Sequence, residues 1–298
     1  MRNLFPLCVG AALLLTACND SGSKNETKTA GAATEQATPS KDSSTKPGVP
    51  AGAKMASDAE IMARKQVPVL CYHHIYDIPK ATREYDVTVQ QFKAQMKALH
   101  DSGYKTISGE QLYNYLAYGA PLPEKPVMLT YDDTDIEQFT IAKPEMDKYG
   151  FKGVYFLMTI SIGRPRYMTK EMIKQLADEG HTIGSHTWDH SRFDRYKYEN
   201  EKEVGGRKKM VNDYDLQLAD TKKKIEEIAG KPVQDFAFPF GIWNAEGLPE
   251  LEKRGYRLAY QLSTKRDSTK PLMTVRRIIV PPQWSTEGFM RAIRTSFR

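Results

Sequence analysis

From residue 66 onward, short apolar runs alternate with amphipathic segments, and nothing else in the 298 residues constrains the fold as strongly. Strands are expected over Val67–Tyr72, Tyr104–Ile107, Val127–Tyr131, Gly153–Thr159, His181–Gly184, Val233–Phe238, Arg257–Leu262 and Val275–Val280. Helical patterns fall between them: Thr88–Ser102 with Val89, Phe92, Met96 and Leu99 on one face, a segment opening on the capping box Ser108-Gly109-Glu110-Gln111, Thr169–Glu179, the charged stretch Lys208–Ala229, Asn244–Arg254, and a last helix from Ser285. Such alternation buries a parallel sheet under outer helices, and seven or eight units in about 230 residues fit one (β/α) barrel. An open doubly wound sheet is the alternative fold. No Gly-x-Gly-x-x-Gly or Gly-x-x-x-x-Gly-Lys-Ser/Thr follows a strand, so that sheet's nucleotide-binding versions lack support.

Four strand ends carry polar or turn motifs: Tyr72-His73-His74, Asp132-Asp133, His186-Thr187-Trp188-Asp189-His190 and Pro239-Phe240-Gly241. A parallel barrel opens all its strand C-termini on one face, so the four would converge. Alone, Asp132-Asp133 reads as a helix N-cap and dipole partner. His186 and His190 stand one helical turn apart, on one face, at a spacing that suits a divalent ion. Two imidazoles and a carboxylate would complete a three-ligand site with a position open to water. Cys71 reads as a small buried hydrophobe, and no role falls to His100 or His181.

The first sixty residues differ in kind. Arg2 precedes an apolar run from Leu4 to Ala17, which reads as a secretory signal over residues 1–17. Leu15-Thr16-Ala17-Cys18 resembles the bacterial lipobox, which implies cleavage before Cys18 and lipidation of that residue. Residues 19–57 contain no Leu, Ile, Phe, Tyr or Trp, so they cannot offset their ordering entropy by burial, and 18–65 is expected to be a flexible tether. The domain would then occupy 66–298, held to a membrane on the extracytoplasmic side of the cell envelope. With Cys8 removed and Cys18 lipidated, Cys71 alone remains, which excludes a disulfide framework. The net charge of +6 over the chain is carried by dispersed basic residues in helical patterns rich in acids, so nucleic acid is not an expected partner.

Thr130-Tyr131-Asp132-Asp133 resembles the Thr-Phe-Asp-Asp-Gly motif of the polysaccharide deacetylases, the NodB-homology proteins of carbohydrate esterase family 4. His186-Thr187-Trp188-Asp189-His190 is similar to the family's His-Ser/Thr-x-x-His motif, and Phe236-Ala237-Phe238-Pro239-Phe240-Gly241 to its Pro-Tyr-Gly strand end. Val67-Pro68-Val69-Leu70-Cys71-Tyr72-His73-His74-Ile75 resembles the opening of the branch acting on β-1,6-linked poly-N-acetylglucosamine. The resemblance spans about residues 67–295 and implies a distorted seven-stranded barrel as a single catalytic domain, acting as a monomer on a polysaccharide. It also implies that Asp133, His186 and His190 hold a divalent metal, zinc foremost, and that Asp132 is the general base. The backbone N–H of Phe240, with Pro239 beside it, would face the substrate, and Trp188 would wall the sugar cleft. Trp284 is left between such a wall and ordinary packing.

Three departures from the family pattern stand out. Thr134 replaces the motif's Gly, and Ala237 replaces an Arg that orients the base. The family's late Leu-x-His motif has no counterpart, since the last His is His190 and Arg276-Arg277-Ile278-Ile279-Val280 carries none. In the rearranged branch the acid comes from the Tyr-His motif, which gives that role to His73 and leaves His74 supporting it. The expected activity is removal of N-acetyl groups from an extracytoplasmic GlcNAc polymer: poly-β-1,6-GlcNAc, peptidoglycan or a chitin-like chain. The alternatives are an O-acetyl esterase on xylan-like glycans and a catalytically weakened carbohydrate-binding lipoprotein.

Overall fold

The computed structural model describes residues 49, 52–77, 83–195, 202–204, 207–209 and 213–297. The signal, Cys18 and most of the tether lie outside the described residues. In chain order the strands are β1 (Val69–Tyr72), β2 (His74–Tyr76), β3 (Asp86–Thr88), β4 (Lys105–Thr106), β5 (Pro126–Tyr131), β6 (Val154–Leu157), β7 (Thr182–Ser185), β8 (Lys202–Val204), β9 (Arg207–Lys209), β10 (Asp235–Ala237), β11 (Leu258–Gln261), β12 (Val275–Arg276) and β13 (Ile278–Ile279). The α-helices are α1 (Asp58–Ala63), α2 (Val89–Asp101), α3 (Gly109–Tyr118), α4 (Lys143–Asp147), α5 (Lys170–Asp178), α6 (Thr221–Ala229), α7 (Leu248–Lys253) and α8 (Thr286–Thr295).

The main sheet is all parallel and runs β12-β11-β10-β7-β6-β5-β1-β13. Its two ends belong to one extended segment. Val275–Arg276 pairs with β11, Ile278–Ile279 pairs with β1, and Arg277 between them spans the gap. The sheet therefore curls into a nearly closed seven-rung barrel, as the alternation implied, and the short β4 hangs off β5 outside the ring. β1, β6, β10 and β11 are buried along their whole length, because barrel interior and outer helices cover both faces. The helices present apolar stripes to that outer face. In α2, Phe92, Met96 and Leu99 are buried at the expected spacing, and Thr88 and Gln91 form the capping box that starts it. Ser108 and Gln111 do the same for α3.

Three expectations are corrected. The domain begins before residue 66: Ile61 of α1 is fully buried, and two hydrogen bonds tie the segment to α3, the Ala56 N–H donating to Ala117 O at 2.7 Å and Arg64 Nε to Leu116 O at 3.0 Å. A six-residue helix with one apolar anchor is too short to show periodicity. The helix expected from Lys208 starts later. Residues 207–209 pair antiparallel with 202–204, and helical backbone begins with a π-type turn over Asp215–Asp220 that leads into α6. The run of Lys and Arg suits a solvated strand as well as a solvated helix, so composition could not separate them. Finally, residues 186–190 form a turn, not a helix.

Candidate active site

The C-terminal ends of β1, β5, β7 and β10 bring the four motifs to one mouth of the barrel. Asp132 and Asp133 follow β5, and backbone geometry sends them apart, because Asp133 and Thr134 both take left-handed conformations (φ 75° and 72°). For a β-branched residue this is strained, and local hydrogen bonds hold it. Thr134 Oγ1 accepts from Met158 N at 2.8 Å, and Thr134 O accepts from Met168 N at 2.9 Å. The hydroxyl thus ties the β5 end to the β6 end, something the family's Gly cannot do.

Asp133 Oδ1 lies 3.5 Å from His186 Nε2 and 3.6 Å from His190 Nε2. His190 reaches this position through left-handed Thr187 and His190 (φ 70° and 64°), with Thr187 Oγ1 accepting from His190 N at 2.9 Å. His186 Nδ1 lies 2.8 Å from Ala237 O. A carbonyl can only accept, so Nδ1 carries the hydrogen and Nε2 presents its lone pair to the site. His186 Nε2 and Asp133 Oδ1 are buried without a hydrogen-bond partner. Two orphaned acceptors facing a third donor atom, at separations close to those of ligands around one small ion, fit a divalent metal.

Asp132 is almost fully buried and gripped by Arg277: Nη1 to Oδ1 at 2.6 Å and Nη2 to Oδ2 at 2.8 Å. This overturns the expectation that the base lacks its arginine. Ala237 on β10 indeed offers none, but the barrel-closing segment supplies one from the other side. Burial alone would raise the Asp132 carboxyl; the guanidinium, His186 and His73 outweigh it and hold it at about 2. Asp133 is likewise pushed well below the usual range, against its burial, by His186, His73 and His190. His73 Nε2 stands 3.9 Å from Asp132 Oδ2, and burial draws its imidazole below the ordinary value while both aspartates oppose the shift. Cys71 is more than filler. Its thiol, kept protonated chiefly by burial, donates to Asp132 Oδ2 at 3.6 Å.

The remaining expected residues separate. Phe240 is 58% exposed, with its ring centroid 4.4 Å from that of His190, and holds φ at 60°. Pro239 before it is buried, and Gly241 after it admits no side chain, since a Cβ there would meet Leu262 Cβ at 2.4 Å. Trp188 is fixed by its backbone, its O accepting from Ile160 N and its N–H donating to Gln217 Oε1. His74 is paired with Asp135 and stacked on Tyr76. Trp284 packs against the core beside α2. His181 sits just before β7, where burial lowers it to about 4.

Sequence reasoning missed two buried glutamines. Gln138 Nε2 donates to His73 O at 3.1 Å and also to Asp132 O, stapling two strand ends together. Gln217 holds Trp188 N and Asp189 Oδ1, each at 2.9 Å. Both sit in π-type turns, Gln138–Ala142 and Asp215–Asp220.

A parallel barrel whose strand ends gather an ionised carboxylate, an imidazole beside it and an Asp/His/His set defines a hydrolytic centre. The polysaccharide deacetylase family profile matches residues 119–259, which include Asp132, Asp133, His186, His190 and Phe240 but not His73 or Arg277. A putative polysaccharide deacetylase of Bacillus subtilis is 28% identical over 227 residues, 75% of each chain. A poly-β-1,6-N-acetyl-D-glucosamine N-deacetylase of Staphylococcus epidermidis is 25% identical over 210 residues, 68% of this chain and 70% of that one. Among solved structures, a Streptococcus pyogenes deacetylase superposes with a TM-score of 0.65 at 22% identity, covering 76% of this chain and 98% of its own. A Bacillus cereus polysaccharide deacetylase gives 0.63 at 25% identity, covering 77% and 69%. The chain carries a polysaccharide deacetylase domain of the NodB-homology type and is a hydrolase acting on amide bonds.

Proposed function

We propose that this hydrolase is a metal-dependent N-deacetylase of a GlcNAc polymer outside the cytoplasm, anchored through lipidated Cys18. The observation that carries the reading is the buried, Arg277-clamped Asp132, whose Oδ2 lies 3.8 Å from the orphaned Nε2 of His186. Structural ion pairs have no need of such a neighbour.

Asp133, His186 and His190 would hold the ion, zinc on the resemblance. A divalent cation at that place supplies Lewis acidity, both to the acetyl carbonyl and to an attacking water. Asp132 is ionised at neutral pH and would take a proton from the attacking water. Arg277 fixes which carboxylate oxygen points at that water. The Phe240 N–H donates to the carbonyl oxygen as charge develops on it. His73, on the other side of Asp132, gives a proton to the departing nitrogen, without which the intermediate would collapse back. The staphylococcal relatives named for poly-β-1,6-GlcNAc support that polymer as substrate; acetylated xylan is the ester alternative.

Acetate release from β-1,6-linked and chito-oligomers of GlcNAc, and from acetylated xylan, with and without chelator, tests the reading. Asp132→Asn should lower turnover by about 10²–10⁴-fold while metal still binds. Unchanged turnover in that variant, or full activity in chelator, would sink the mechanism.

A further inference from the structure

Among the described residues, two aromatic side chains are strongly exposed, Tyr85 (43%) and Phe240 (58%), and both lean on imidazoles of the site. Phe240 lies against His190, at the Asp133 end of the cluster. Tyr85 lies against His73, at the Asp132 end, with ring centroids 5.1 Å apart and planes at 43°. Neither ring is exposed by accident of a loose loop. Phe240 holds a left-handed backbone at φ 60°, a conformation that a residue other than glycine rarely adopts. The backbone of Tyr85 is tied to the motif itself, its O accepting from His74 N at 3.4 Å, one residue before β3 begins at Asp86. The two imidazoles, 73 and 190, thus each carry an apolar, water-facing ring over their outer side.

We propose that Tyr85 is a specificity-determining residue: a stacking platform for the sugar next to the one whose acetamide is cleaved, on the His73 side. The inference rests on the N-deacetylase reading and names what that reading leaves open, the length of chain the site requires. A pyranose ring presents a face of C–H groups that buries well on an aromatic ring, while its hydroxyls stay in water. One ring stands at each end of the chemical centre, Phe240 on His190 and Tyr85 on His73, so each offers its face to a different sugar of a chain. The substrate class is therefore a β-linked amino-sugar chain of at least two residues, not the free monosaccharide. Tyr85 contacts no reacting atom, so its energy appears in binding of the chain.

The test compares wild type, Tyr85→Ala and Tyr85→Phe on GlcNAc, on a β-1,6-linked pentamer and on a small aryl acetate. Tyr85→Ala should raise KM for the pentamer by about 10-fold, roughly the worth of one aromatic contact. Its kcat and its rate on the aryl acetate should stay near wild type, and Tyr85→Phe should restore pentamer KM because the ring returns. Equal loss on pentamer and aryl acetate, with a displaced pH profile, would show that Tyr85 positions His73 and overturn the platform. So would an unchanged KM in a wild-type-like background. If wild type neither binds the pentamer by calorimetry nor deacetylates it, the N-deacetylase reading falls first and the platform with it.

Discussion

Burying a carboxylate such as Asp132 costs several kcal/mol unless charge and hydrogen bonds answer it, and Arg277 answers with both nitrogens of its fork. The same fork orients Asp132, so the two effects can be separated by substitution. Arg277→Met leaves the carboxylate uncompensated and should cost about 3–5 kcal/mol of stability in denaturant unfolding. Arg277→Lys keeps the charge but not the planar, two-point grip, and should fold while kcat drops by up to about 100-fold. Full kcat in folded Arg277→Lys would show that charge alone suffices. The sequence marks Asp132 and hides Arg277. An acidic pair at a strand end stands out by its position, whereas Arg277 lies 145 residues away, one of two adjacent arginines and set between the short β12 and β13. Only closure of the barrel, which places that segment between β11 and β1, brings it under the carboxylate.

Single elements explain why the two histidines are neighbours in space although no helix joins them. An i,i+4 spacing fits both a helical turn and the looped turn found here, and nothing in Thr187 or His190 announces a positive φ. The turn is held from beneath by Gln217, as the β1 and β5 ends are held by Gln138, and both glutamines come from π-type turns. The extra residue in such a turn rotates one side chain out of helical register, and here it points a buried amide at a motif loop. No periodicity in the sequence predicts that. Gln217→Met keeps the volume and removes the amide, freeing Trp188 N and Asp189. Metal affinity should then weaken by about 10–100-fold, as for other partners behind a ligand, with the fold retained. Competition against a chromogenic chelator measures it; an unchanged Kd would mean the turn holds itself. The barrel strands, by contrast, were legible because continuous apolar runs bounded by Gly and polar ends have few other uses in a parallel sheet.

Across the whole molecule the barrel has a chemical mouth and a structural base, and buried carboxylates at the two ends titrate in opposite directions. Asp132, at the end of β5, is held low. Asp235, at the start of β10, is pushed up to about 6, chiefly by burial, despite the hydrogen bond its Oδ1 accepts from Tyr260 at 2.8 Å. Gly109 at the start of α3 packs so closely on it that a Cβ would sit 2.3 Å from Oδ1. An acid whose folded pKa exceeds its unfolded value of 3.8 makes the folded state the better proton binder. The folded state is therefore favoured below about pH 4, loses that advantage between about 4 and 6, and carries a constant penalty above. A rise from 3.8 to about 6 corresponds to about 3 kcal/mol. Asp235→Asn keeps the carbonyl that accepts from Tyr260 and cannot ionise, so it should stabilise the protein near pH 7 by up to that amount. At pH 4 it should have little effect. Urea unfolding of both proteins at several pH values isolates the contribution of Asp235, because every other carboxylate cancels in the difference. A difference that stays flat from pH 4 to 7 would mean that Asp235 is solvated in the folded state and that the base of the barrel is open to water.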